Sequence, residues 1–205
     1  MPIDAQTLKT TMDRAALAAQ KAEQDLNEAD GKIGDGDTGV MLRRLSERLA
    51  TAAPADEQDV GAFFQALGKA SASGTGSSLG TLVTVSMLAL AKETRGRTEL
   101  PWSELGGLLQ MVCATMMNRG GAALGDKTVV DSLDAVARAI AGLDEPSVIA
   151  QAARKAADQT LDVYRDKPNK IGRARMFSER SIGIDDPGML AFKVLLDGIS
   201  QNAAA

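Results

Sequence analysis

Apolar residues recur at three- and four-residue intervals along most of the chain, the spacing that lines one face of an α-helix. Leu8, Met12, Ala15, Ala19 and Ala22 mark a first helix from about Asp4 to Glu28. A second starts near Thr38 and buries Met41, Leu42, Leu45 and Leu49. A third follows Pro54, with Asp56 as its N-cap, and carries Val60, Phe63, Phe64 and Leu67. A strongly apolar fourth runs through Leu90. Pro101 opens a fifth, with Leu105, Leu108, Leu109, Val112 and Met116 inside, ending near Gly120. A sixth covers about Thr128 to Ala141, and a seventh runs from Pro146 to about Tyr164. Asp186 and Pro187 read as N-cap and first residue of an eighth, ending near Ser200. No run alternates with the two-residue period of a strand. The expectation is an all-α protein, with residues 1–205 forming a single domain.

Two interruptions stand out against this pattern. One is the glycine-rich loop that follows the first helix. The other runs from Asp166 to Asp186, long enough to suggest a functional role.

Composition then removes several function classes. The 205 residues are 44% apolar and 24% charged, with a net charge of −4, an ordinary globular balance. An acidic chain with 3% aromatic residues lacks both the basic surface and the stacking platforms that nucleic acid needs. There is no histidine, which excludes histidine-based zinc sites and Ser-His-Asp triads on this chain. No apolar run reaches the length of a membrane span, and the N-terminus lacks signal-peptide character. Cys113, the single cysteine, reads as core packing. The expected location is the cytoplasm.

Three acids, Asp30, Asp35 and Asp37, fall within the first glycine-rich loop. Carboxylates so close repel one another unless a cation or a partner offsets them. Mg²⁺ suits such a set, because it binds through a few carboxylates together with substrate phosphates. A solvated acidic turn is the alternative. The EF-hand pattern is not met, since the twelfth position counted from Asp30 is Met41. Thr38 follows directly as a candidate helix cap, and open backbone N–H groups there would form an anion site. Gly74-Thr75-Gly76-Ser77-Ser78 also opens a helix and can cradle phosphate, or simply allow close packing. The arginines at 173, 175 and 180 lie in the long loop, as phosphate contacts or as a solvated basic stretch.

In combination, these segments resemble the L subunit of dihydroxyacetone kinases. The residues that carry the resemblance are Asp30 to Gly39, Gly74 to Thr81, Gly125-Asp126-Lys127-Thr128, Gly172 to Ala174, and Glu179 to Gly183 with Asp186-Pro187-Gly188. The resemblance implies an eight-helix antiparallel barrel with the nucleotide site at one end. It implies that Asp30, Asp35 and Asp37 bind two Mg²⁺ ions holding the phosphates of ADP or ATP, and so carry the catalysis. It places Thr38, Gly39, Val40, Met41, Gly74 and Thr75 at the phosphates. Gly120, Val129, Arg173, Asp186, Pro187 and Gly188 would lie around the nucleotide. The partners implied are a K subunit, whose histidine holds the ketone as a hemiaminal, and a phosphotransferase-system donor that recharges bound ADP. A homodimer is left open, and neither nucleic acid nor membrane is expected. Thr38 stands where the family usually has histidine; related fatty-acid kinase domains carry Asp-Gly-Asp-Thr-Gly here. The chemistry expected is that of a ketose kinase subunit. An erythrulose-type kinase, a fatty-acid-kinase-like domain and a non-catalytic nucleotide sensor are the alternatives.

Overall fold

The computed structural model describes residues 2–74 and 78–200, without the side chains of Arg173 and Phe177. Nine α-helices lie among the described residues: α1 (Ala5–Lys21), α2 (Glu23–Asp30), α3 (Thr38–Ala52), α4 (Val60–Ala72), α5 (Ser78–Glu93), α6 (Leu105–Gly120), α7 (Val129–Ala139), α8 (Pro146–Arg165) and α9 (Pro187–Ser200). Helix α1 packs on α3, and each helix from α3 onward packs on the next. Helix α9 returns to α1, so the ring closes. With α1 and α2 taken as one broken helix, this is the expected eight-helix antiparallel barrel.

The break at Ala22 has no sequence signal, because Lys21, Ala22 and Glu23 all tolerate a helix. Its cause is tertiary. Gly39 of α3 brings its backbone so near α2 that a Cβ there would stand 2.0 Å from the Glu23 carbonyl oxygen. The Glu23 carboxylate also pairs with Arg43 of α3, which in turn pairs with Glu47. Helix α2 is thereby held across α3, and it ends at Asp30 rather than at the expected Glu28.

Other boundaries differ for similar reasons. Helix α4 is capped by Asp59, not Asp56: Asp59 Oδ1 accepts from the Gly61 and Ala62 amides at 2.7 and 3.2 Å. Its second oxygen accepts from Gly96 N at 3.0 Å, a contact distant in sequence. Pro101 leads into a 3-10 turn, Trp102–Glu104, before α6 begins. One element was not expected. Strands β1 (Ile3–Asp4) and β2 (Glu99–Leu100) pair antiparallel, Ile3 with Leu100 and Asp4 with Glu99. Each is too short to display alternation.

The core fills the barrel. Leu45, Leu49, Val60, Phe63, Leu67, Leu108, Val112 and Leu133 form its main cluster, with Cys113 buried among them. A smaller cluster joins Leu26 of α2, Leu42 of α3 and Ala191 of α9, with Leu79 of α5 packed against it. This second cluster decides where a site can be. It sets the end of α2 and the starts of α3, α5 and α9 at one end of the barrel.

Candidate nucleotide and metal site

At that end, Asp30, Asp35 and Asp37 each offer a carboxylate oxygen, and the three oxygens lie within 4.8 Å of one another. Asp30 is the last residue of α2 and is 7% exposed, Asp37 is half-buried, and Asp35 faces solvent. The cluster thus grades from protein to water. Two glycines make it possible. Gly36 sits between two of the acids at φ +76°, a conformation that favours glycine. At Gly34 a Cβ would stand 2.1 Å from Asp30 Oδ1, so the carboxylate occupies the space a side chain would need.

Asp30 is also bound to the helix it faces. Its Oδ2 accepts from the amides of Asp37 (3.0 Å) and Thr38 (3.3 Å). The next two amides, Gly39 N and Val40 N, donate to Asn27 Oδ1 at 2.8 and 3.2 Å. The start of α3 is therefore capped by two side chains from α2. This corrects two expectations. Thr38 is the first residue of α3 rather than its cap, and the N–H groups there are engaged rather than open to an anion. Met41 N bonds back to the Asp37 carbonyl, as in any helix. The donor set nonetheless fits a hard divalent cation: three carboxylates, one fixed from behind, with no nitrogen or sulfur among them.

Those of the other expected residues that the structure describes lie at or beside helix ends. Gly120, at the end of α6, lies against Leu82 of α5, 3.2 Å from where its Cβ would be. Gly188 lies against Val129, so the starts of α9 and α7 touch. Pro187 is the first residue of α9, and Asp186 caps it by accepting from Met189 N at 2.9 Å. Asp186 is buried, and burial pushes its carboxyl up to about 6 against the hydrogen bonds from Met189 and Asn169. Gly74 follows α4, and the Arg48 guanidinium occupies the position its Cβ would take. Thr75 and the Arg173 side chain lie outside the described residues.

Three residues have structural roles here that the sequence reading did not assign. Asn27 lies one turn before Asp30, where an asparagine carries no special pattern. Asn169 lies in the long loop, yet it is 1% exposed and donates to both Asp186 Oδ2 (2.7 Å) and the Lys127 carbonyl (2.8 Å). Lys127 has its ammonium wholly inside the protein. A positive φ of 62° in a non-glycine residue is its structural mark, and sequence alone does not reveal it.

An all-helical barrel with an acidic, oxygen-only loop at one end is the class of protein that fold and site define. Residues 32–201 match the DAK2 domain, and the chain belongs to that family. It is 31% identical to the L-erythrulose 1-kinase of Mycolicibacterium smegmatis, over 88% of this chain and 32% of that protein. It is 28% identical to the ADP-binding subunit DhaL of the PTS-dependent dihydroxyacetone kinase of Lactococcus lactis, over 97% of this chain and 99% of that subunit. The fold matches the dihydroxyacetone kinase of C. freundii, solved in complex with AMP-PNP and Mg²⁺, with a TM-score of 0.73 and 21% identity. That match covers 98% of this chain and 34% of the other. The chain spans about a third of the length of the erythrulose kinases it matches. Among the described residues, no helix is long and apolar enough to cross a membrane.

Proposed function

We propose that this chain is the nucleotide-carrying subunit of a dihydroxyacetone-type ketose kinase. The observation that carries the reading is the Asp30, Asp35 and Asp37 cluster at the barrel end. The near end-to-end match to a stand-alone ADP-binding subunit supports it. In this reading the three carboxylates hold Mg²⁺, two ions by resemblance, and through it the phosphates of ADP or ATP. Bound Mg²⁺ would supply charge neutralisation and in-line orientation for phosphoryl transfer.

The chain's own residues do the rest. Asp30 and Asn27 cap the start of α3 and so fix the loop that presents Asp35 and Asp37. Thr38 to Met41, with Gly74 and Thr75, flank the phosphates. Gly120, Val129, Arg173 and the Asp186-Pro187-Gly188 turn flank the rest of the nucleotide. These residues include no histidine that could hold a ketone covalently, so the ketone belongs on a partner K subunit. A phosphotransferase-system protein recharges the bound ADP, and the complex works in the cytoplasm. Residues 1–205 act as one nucleotide-binding domain.

The test begins with protein purified without added nucleotide, then denatured and assayed. Near-stoichiometric ADP, with about two Mg²⁺ per chain, is expected for a carrier subunit. The erythrulose kinase matches favour a second reading, in which ATP is an exchangeable substrate. That reading expects an empty protein that binds Mg²⁺–ATP from solution. A chain that neither retains nor binds nucleotide would rule out both. Replacing all three aspartates by asparagine should abolish kinase activity reconstituted with a K subunit; surviving activity would remove the cluster from the chemistry.

A further inference from the structure

Lys127 is fully buried, yet it carries a charge into the protein. Its ammonium donates to three main-chain carbonyls: Arg165 at 3.0 Å, Lys167 at 2.8 Å and Ser181 at 2.8 Å. An ammonium has three donors, and here all three are used. No donor is left for a phosphate or a substrate, so a direct catalytic role is excluded.

The identity of the three acceptors is informative. Arg165 ends α8, Lys167 opens the long loop, and Ser181 lies where that loop returns. One side chain from the α6–α7 connection therefore closes the neck of the loop. Other contacts share the neck: Gly183 N donates to the Arg165 carbonyl at 2.9 Å, and Arg165 pairs with Asp185. The Lys127 carbonyl accepts from Asn169 Nδ2, which also donates to Asp186. Asn169 N in turn donates to Ser181 Oγ at 2.9 Å. A chain of bonds thus runs from Lys127 through Asn169 to the cap of α9. The left-handed backbone of Lys127 persists because so many contacts determine it. A lysine suits the place better than an arginine, because three carbonyls around one point match a compact ammonium and not a planar fork.

We propose that Lys127 is a positioning residue: by pinning the neck of loop 166–186, it holds the 3-10 turn Arg173–Phe177 and the Asp186–Gly188 turn in register for nucleotide. The proposal rests on the nucleotide-carrier reading above. The pin ties two segments that approach the nucleotide, and it leaves the carboxylate cluster to α2 and α3.

Lys127→Met keeps length and removes the donors. Hydrogen exchange on the full chain should show the Asn169, Ser181 and Gly183 amides exchanging at least about tenfold faster, with α4 and α5 unchanged. Affinity for Mg²⁺–ADP should fall about tenfold, equivalent to about 1.4 kcal/mol, while affinity for Mg²⁺ alone stays at the parental value. Asn169→Ala leaves the ammonium paired and should act in the same direction; it decides the matter if Lys127→Met does not fold. Faster exchange with unchanged Mg²⁺–ADP affinity would make Lys127 structural only and overturn the proposal. So would weakened affinity with unchanged loop exchange, or no change in either. If the parent protein itself binds no Mg²⁺–ADP, the carrier reading fails first and the positioning role falls with it; the exchange data then report only on the pin.

Discussion

Gly34→Ala is the most direct probe of the carboxylate cluster, because every close contact it creates falls on one residue, Asp30, with the Asp30 Cγ also at 2.9 Å. The new Cβ would stand 2.1 Å from Asp30 Oδ1 and 3.1 Å from the Asp30 carbonyl oxygen. One of the two groups must retreat by more than an ångström. The loop backbone resists, since Gly34 N and Ile33 N both donate to the Asp30 carbonyl and Ile33 is 1% exposed. The carboxylate is therefore the part that moves, and its movement strains the bonds that Oδ2 accepts from Asp37 N and Thr38 N. Each of those bonds to a charged acceptor is worth about 1.5–3 kcal/mol, and partial retention gives an expected loss of about 2–3 kcal/mol. For a chain of this size that is a fall in Tm of roughly 4–12 °C. Misplacing one of three ligands should also weaken Mg²⁺ binding by about 10- to 100-fold. Calorimetric titration with Mg²⁺, alongside thermal melts, reads both effects. Gly107→Ala is the control: nothing lies within 4 Å of its Cβ position inside α6, so it should be about 1 kcal/mol more stable with unchanged metal binding. Parental Mg²⁺ affinity and Tm in Gly34→Ala would refute the packing argument.

Two further perturbations test the supports of the site. Asn27→Ala removes the acceptor for Gly39 N and Val40 N and should cost about 1–2 kcal/mol in a melt, as loss of a helix cap does; an unchanged Tm would show that these bonds contribute nothing. Burial raises the Asp186 carboxyl to about 6 in the folded protein, above its value in the unfolded chain. Its stabilising contribution is then fully present below about pH 4, is lost as pH rises to about 6, and totals roughly 3 kcal/mol. Asp186→Asn should flatten the dependence of Tm on pH across that window, whatever its effect on absolute stability; equal slopes in parent and variant would count against the assignment.

Much of this molecule is local and therefore legible in the chain. Val60, Phe63, Phe64 and Leu67 repeat at helical spacing and are all buried. Asp186 and Pro187 open α9 as their chemistry requires, and Thr128 caps α7 in a box with Asp131. The acids at 30, 35 and 37 lie close in sequence, so a single turn brings them together. What required the tertiary structure depended on partners remote along the chain. Helix α2 breaks from α1 because of Gly39 and Arg43 on another helix, and α4 begins late because Asp59 also answers Gly96. The amides at the start of α3 read as an open anion site until Asp30 and Asn27 are seen to fill them. Lys127 reads as one more charge before a helix; only the fold brings the carbonyls of Arg165, Lys167 and Ser181 around it. Spacing in the sequence determines which residues share a helix face or a turn. It cannot determine which distant main-chain groups will be left needing a partner, because closing the barrel creates that need.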